Sequence, residues 1–192
     1  MFNSTESWAR TALTGRIKVV SPNLGAGQYV ARKLGPNGNM VTCDDYDDAL
    51  KIRIAPAEDA VLIQCLNTDA SGYYWLGLSA SSADPDFGKN SSQWVAFTYT
   101  TIPSVNPPLV SSQNTSRTVS WAWHLGYDGS LRSVWNDEAN SLGYALSWSV
   151  ELKTRRISGV SNRKAYVARY YCNTGSAETP VRLFFEPDVL TK

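Results

Sequence analysis

Side chains able to do chemistry are few in this 192-residue chain, and they fall into small groups. His124 is the single histidine and lies in the aromatic run S-W-A-W-H-L-G-Y. On an extended strand, alternation puts it on the face opposite Trp121 and Trp123. A general base needs a nucleophile and an orienting carboxylate within reach. The chain has no Gly-x-Ser-x-Gly elbow and no phosphate-binding loop, and Gly25-Ala26-Gly27 reads as a turn. The expectation is a structural histidine and a protein that is not an enzyme.

The second group is acidic. Asp44, Asp45, Asp47 and Asp48 stand in C-D-D-Y-D-D, where they repel one another unless solvated or neutralised. Oxygen ligands of this kind suit a hard cation such as Ca²⁺, although the spacing is not that of an EF-hand loop. The readings are a solvated turn or a Ca²⁺ site at subunit contacts. The third group is basic: Lys153, Arg155, Arg156, Arg163 and Lys164, in K-T-R-R-I-S-G-V-S-N-R-K, with no acid among them. Such a run can face phosphates, or it can pair with the acidic cluster of the same or a neighbouring subunit. Cys43, Cys65 and Cys172 form no Cys-x-x-Cys pair, so neither a zinc site nor a disulfide framework is indicated. Of the seven tryptophans, Trp121 and Trp123 share a face and are candidates for a subunit interface. Pro107 and Pro108 join them from the segment 103–117, which carries no periodic signal and reads as an excursion towards a partner.

The elements that would carry these groups are strands. Period-2 alternation and β-branched or aromatic runs predict strands at Arg16–Val20, Gln28–Leu34, Met40–Cys43, Leu50–Ala55, Ala60–Leu66 and Tyr73–Ser79. Further strands are predicted at Gln93–Thr101, Thr118–Leu125, Leu131–Trp135, Tyr144–Leu152, Tyr166–Cys172 and Val181–Glu186. Turn signals such as Asp128-Gly129 separate them. Short helices are predicted only at Ser4–Leu13 and Ser133–Leu142. The length fits one domain, 16–192, preceded by the segment 1–15. Charged residues make up 18% of the chain, below the usual share of about 25%, which suits a surface meant to be covered. The net charge of +1 argues against strong non-specific attraction to nucleic acid. Met1–Gly15 has no apolar core of a signal peptide, and no run approaches the ~20 apolar residues of a membrane helix. A cytosolic chain is expected.

Three stretches resemble the jelly-roll coat proteins of small icosahedral plant RNA viruses, the cucumovirus and bromovirus group. They are I-K-V-V-S-P-N-L-G-A-G-Q-Y-V-A-R-K-L (Ile17–Leu34), L-K-I-R-I-A-P-A-E-D-A-V-L-I-Q-C-L (Leu50–Leu66) and N-R-K-A-Y-V-A-R-Y-Y-C-N-T-G-S-A-E-T-P-V-R-L-F-F-E-P (Asn162–Pro187). In the last, a strand, a polar turn and a closing strand would end the domain. The resemblance implies an all-β jelly-roll sandwich of two antiparallel sheets and a coat subunit made in the host cytoplasm. It implies assembly with copies of the chain into a virion enclosing single-stranded RNA, with no membrane. Such coats carry an Arg/Lys-rich N-terminal arm, whereas Met1–Gly15 has one basic residue, Arg10. The RNA contact is therefore assigned to Lys153, Arg155, Arg156, Arg163 and Lys164, with Arg10, Arg16 and Lys18. The alternative is a β-trefoil lectin. Its count of twelve strands fits, and G-Q-Y-V-A-R-K-L-G-P-N-G-N-M-V-T-C reads as a trefoil hairpin. Against it, only Y-V-A-R recurs, at 29–32 and 166–169, which is no threefold period.

Overall fold

The structure is a computed structural model that describes residues 13–188, apart from 36–37, 57–59, 70–71, 73, 83, 102–117, 120–121, 138–141 and 173. In chain order the first strands are β1 (Leu13–Val20), β2 (Gln28–Leu34), β3 (Met40–Cys43), β4 (Lys51–Pro56), β5 (Val61–Cys65), β6 (Trp75–Ala80) and β7 (Trp94–Thr100). After them come β8 (Thr118–Val119), β9 (Trp123–Leu125), β10 (Ser130–Asp137), β11 (Leu142–Ala145), β12 (Ser147–Glu151) and β13 (Ile157–Val160). A helix, α1 (Arg163–Tyr170), then precedes the last strand, β14 (Glu178–Pro187). The all-β class expected from the alternation is what the chain adopts.

The pairings are antiparallel and close on themselves. Following them from β1 through β4, β5, β6, β7, β13, β12 and β14 returns to β1, a closed barrel of 8 strands. Closure satisfies the backbone groups that an open sheet leaves at its edges. Long strands also change neighbours along their length. On one edge β14 pairs with β12 through Glu178–Val181 and with β10 through Leu183–Phe184. Likewise β5 meets β9 at Val61 and β6 at Gln64. A shorter circuit thus runs β1, β4, β5, β9, β10, β14 at the other end of the barrel. The hairpins β2–β3, β6–β7 and β12–β13 meet at the wide end, through the pairs Val41–Arg156 and Gly159–Val95.

Alternation explains the core. In β14 the inward residues Thr179, Val181, Leu183 and Phe185 are buried while Pro180 and Arg182 between them are exposed. Ile17, Ile52, Ile63, Leu76, Leu78 and Val95 fill the interior from the surrounding strands. Each such aliphatic side chain contributes about 1.5–3 kcal/mol by leaving water. Trp123, Trp148 and Phe97 form an aromatic cluster at the centre, with Phe97–Trp148 centroids 4.4 Å apart and Phe97–Trp123 centroids 5.2 Å apart. The Trp123 Nε1–H donates to the Leu76 carbonyl at 3.1 Å, so the buried indole leaves no orphan donor.

Local structure departs from the sequence expectations in several places: β13 is not among the predicted strands, and the predicted strand Thr118–Leu125 is divided into β8 and β9. The predicted strand Tyr166–Cys172 is instead the C-terminal half of α1 and the turn after it. Asn162 caps that helix, its Oδ1 accepting from the Ala165 amide at 3.1 Å, and Tyr166 anchors it in the core. The cap satisfies an N–H that a strand would have had to pair elsewhere. The reading of Asn162–Pro187 as two strands is corrected accordingly. The predicted helix Ser133–Leu142 is instead largely β10, because Ser133 and Trp135 face the core while Arg132 and Asn136 face solvent. The predicted strand Tyr144–Leu152 is broken at Leu146, between β11, which pairs with β10, and β12, which pairs with β13 and β14. The helix expected at Ser4–Leu13 and the segment 103–117 lie outside the described residues, except that Leu13 opens β1.

A candidate anion-binding groove where the barrel changes partners

Most of the basic residues singled out in the sequence are already matched by carboxylates. Arg155 sits in the turn between β12 and β13 at φ 61° and donates to both carboxylate oxygens of Asp44, at 2.6 and 3.0 Å. Asp44 also accepts from the Gln28 side chain. These charge-assisted hydrogen bonds, Arg155's foremost, hold the Asp44 carboxyl below its ordinary range. Arg156 lies with its guanidinium 4.9 Å from the Trp94 ring centroid and donates to the Tyr166 and Tyr171 hydroxyls, each at 3.4 Å. Arg163 pairs with the buried Glu178. Near the chain termini Arg16 pairs with Asp188 at 3.2 Å and Lys18 with Glu186 at 2.6 Å. Lys153 and Lys164 are exposed and have no ion pair among the described residues. The assigned cations therefore do not make one free phosphate-facing surface; of the two readings of the basic run, pairing within the chain is the one seen for Arg155. Arg10 lies outside the described residues.

The acidic cluster is dispersed in the same way. Asp48 pairs with Arg32 at 3.4 Å, and an Asp45 carboxylate oxygen accepts from the Asp47 amide at 2.8 Å. Among the described residues of one chain no three His, Cys, Asp or Glu side chains converge to hold a metal ion. Trp123 is fully buried in the core, which removes it as an interface residue. Trp121, Pro107 and Pro108 lie outside the described residues.

A different constellation forms where β14 changes from β12 to β10. A groove of about 810 Å³ opens at this junction. His124 and Arg132 are directly paired across β9 and β10. Arg132 follows Leu131 along β10, and Arg182 precedes Leu183 along β14, Leu131 and Leu183 being partners. His124, Arg132 and Arg182 are all exposed and line the groove, with Arg163 at its side. Like charges brought together across a sheet cost about 0.2–1 kcal/mol per pair. Neither Arg132 nor Arg182 has an ion pair among the described residues, although the Arg182 guanidinium covers the Phe184 ring at 5.2 Å. Asp128 is the one carboxylate among the residues that line the groove. Its carboxyl is held below its ordinary range chiefly by hydrogen bonds from Ser130, with Arg132 adding a weaker attraction.

Two core-facing residues also border the groove. Ser133 and Trp148 line it, are almost wholly buried, and leave the Ser133 Oγ and Trp148 Nε1 without a hydrogen-bond partner in the chain. The arginines at its rim offer positive charge, which suits an anion. The sequence signal was slight. S-L-R-S-V-W and V-R-L-F-F place Arg132 and Arg182 at outward positions of otherwise apolar strands, but nothing in the sequence says that strands fifty residues apart become neighbours. No protein-family model, no curated protein and no solved structure matches this chain.

Proposed function

We propose that this chain is a non-catalytic structural subunit that holds single-stranded RNA in the groove between β10, β12 and β14, within an assembly of its own copies. The assembly and the virion setting come from the coat-protein resemblance. The observation that carries the RNA assignment is the juxtaposition of Arg132 and Arg182 on adjoining strands at the groove, with His124 beside them and no carboxylate paired to either arginine among the described residues. Arg16, Lys18, Arg155 and Arg163 are neutralised within the chain, whereas Arg132 and Arg182 stand together on neighbouring strands at the groove with their charges unmatched among the described residues. The jelly-roll form of the fold rests on the resemblance; the antiparallel pairing supports its all-β class. No described helix is long and apolar enough to cross a membrane.

The test is a salt titration of RNA binding. Each phosphate contact on a single strand contributes about 0.7 to the slope of log affinity against log salt. The Arg132→Gln, Arg182→Gln double variant is expected to lower that slope by about one to two and to leave particle formation, read by light scattering, unchanged. An unchanged slope overturns the RNA assignment. A chain that stays monomeric at high concentration overturns the assembly.

A second reading is favoured by one specific feature. The shorter circuit of β1, β4, β5, β9, β10 and β14, with hairpins gathered at the other end, follows the strand order of a β-trefoil. A trefoil lectin would use the same groove mouth for a saccharide. Binding to a neutral glycan array without RNA binding is the outcome that selects it.

A further inference from the structure

We infer that Tyr127 is a stacking platform for a nucleic-acid base, which makes the groove selective for single strands over duplex. This rests on the RNA reading of the groove and adds a second, independent element to it. Tyr127 stands at the tip of the turn between β9 and β10 and is completely exposed, at 114% of its reference area. It lines a hollow of about 440 Å³ together with His124, Asp128 and Arg132, three residues that also line the groove. Among the described residues it has no ring contact and no hydrogen bond, so it does nothing for the fold of the barrel.

The turn beneath it is tightly built. The Gly126 amide donates to Ser130 at 2.8 Å, the Gly129 amide donates to Gly126 at 3.0 Å, and Asp128 accepts from the Ser130 amide at 3.0 Å. Gly129 takes φ 79°, a conformation other residues adopt only under strain. A Cβ on Gly126 would stand 2.6 Å from the Ser130 Oγ, so the turn leaves no room there. A rigid turn that displays a bare aromatic ring presents it at small entropic cost.

Exposed aromatic area beside unmatched cations is the combination that holds single strands. The cations track the phosphates, and the ring stacks on any base because every base has a π-face. In a duplex the bases already stack on one another, so the ring has nothing to cover. The row of cations meets either form through its phosphates. Arg132 and Arg182 therefore supply charge and salt dependence, while Tyr127 supplies the preference for unpaired bases.

The experiment measures binding of labelled oligouridylate and of a duplex RNA of equal length by fluorescence anisotropy, with inorganic polyphosphate as a base-free competitor. Tyr127→Ala is expected to weaken oligouridylate binding on the order of tenfold, with duplex and polyphosphate binding unchanged. Tyr127→Phe, which keeps the ring, is expected to bind as the parent does. The residue makes no contact that folding uses, and the parent's thermal midpoint confirms the fold. If Tyr127→Ala binds oligouridylate as tightly as the parent while Arg132→Gln, Arg182→Gln binds weakly, stacking is overturned and the RNA reading stands. If Tyr127→Phe loses as much as Tyr127→Ala, the hydroxyl and not the ring is at work, and stacking is again overturned. If the parent binds neutral saccharide through Tyr127 and no oligouridylate, both fall.

Discussion

Arg155 and Asp44, separated by 111 residues, close a two-pronged ion pair at 2.6 and 3.0 Å that joins the turn after β12 to the loop after β3. The arginine pays for this contact in backbone conformation, since φ 61° belongs to glycine. Arg155→Gly and Arg155→Ala separate the two effects. Both lose the pair, which is exposed and contributes at most about 1 kcal/mol. Only the alanine keeps the strained φ, so Arg155→Gly is expected to be more stable than Arg155→Ala by about 1 kcal/mol in denaturant melts. Equal midpoints would mean the turn relaxes freely.

Acid should loosen the barrel seam. The Asp44 carboxyl is held low by hydrogen bonds from Arg155 and Gln28, and the Glu186 carboxyl by a hydrogen bond from Lys18 above all. A carboxyl whose folded value lies below its unfolded one contributes stability that is complete above the unfolded value. That stability is lost as pH falls through the folded value. The thermal midpoint is therefore expected to be flat near neutrality and to fall below about pH 4. Lys18→Met should shrink the fall, and a variant with an undiminished fall would place the acid sensitivity elsewhere.

The aromatic centre should dominate stability. Trp123 and Trp148 stack with centroids 6.0 Å apart and planes 10° from parallel, and Gly159 lies against the Trp148 ring, where a Cβ would stand 2.9 Å away. Trp123→Ala removes the stack, the Phe97 contact and the hydrogen bond to Leu76, and should cost about 3–5 kcal/mol. Gly159→Ala should cost about 1–3 kcal/mol by overpacking the same cluster. Chemical denaturation followed by tryptophan fluorescence reads both, and a loss under 1 kcal/mol for Trp123→Ala would place the centre of the core elsewhere.

The three free thiols should report three environments. Cys172 is exposed, Cys43 is half-buried with its thiol pushed up to about 11 by burial and by Asp48, Asp44 and Asp45, and Cys65 is fully buried with its thiol raised by burial. The thiolate is the reactive form. A thiol reagent at pH 8 should therefore label Cys172 first and Cys43 slowly, and reach Cys65 only on unfolding. Mass spectrometry of the labelled chain decides it, and early labelling of Cys65 would contradict the core described above.

Alternation, turn residues and apolar content by themselves determined that this chain is all-β, where most of its strands lie, and that Trp123 and His124 face opposite ways. These are local properties, set by the two-residue period of the strand and by which residues tolerate a turn. The helix at Arg163–Tyr170 was hidden because its Y-V-A-R-Y-Y run also suits a strand; what tips it is one capping side chain, Asn162, and the burial of Tyr166. The tertiary structure alone decided the ring closure, the change of partner along β14 and the fate of the charges. Whether Arg155 faces a phosphate or Asp44, and whether Arg132 and Arg182 stand apart or together, depends on which distant strands become neighbours. That choice is made by the packing of the whole core, which no single segment encodes.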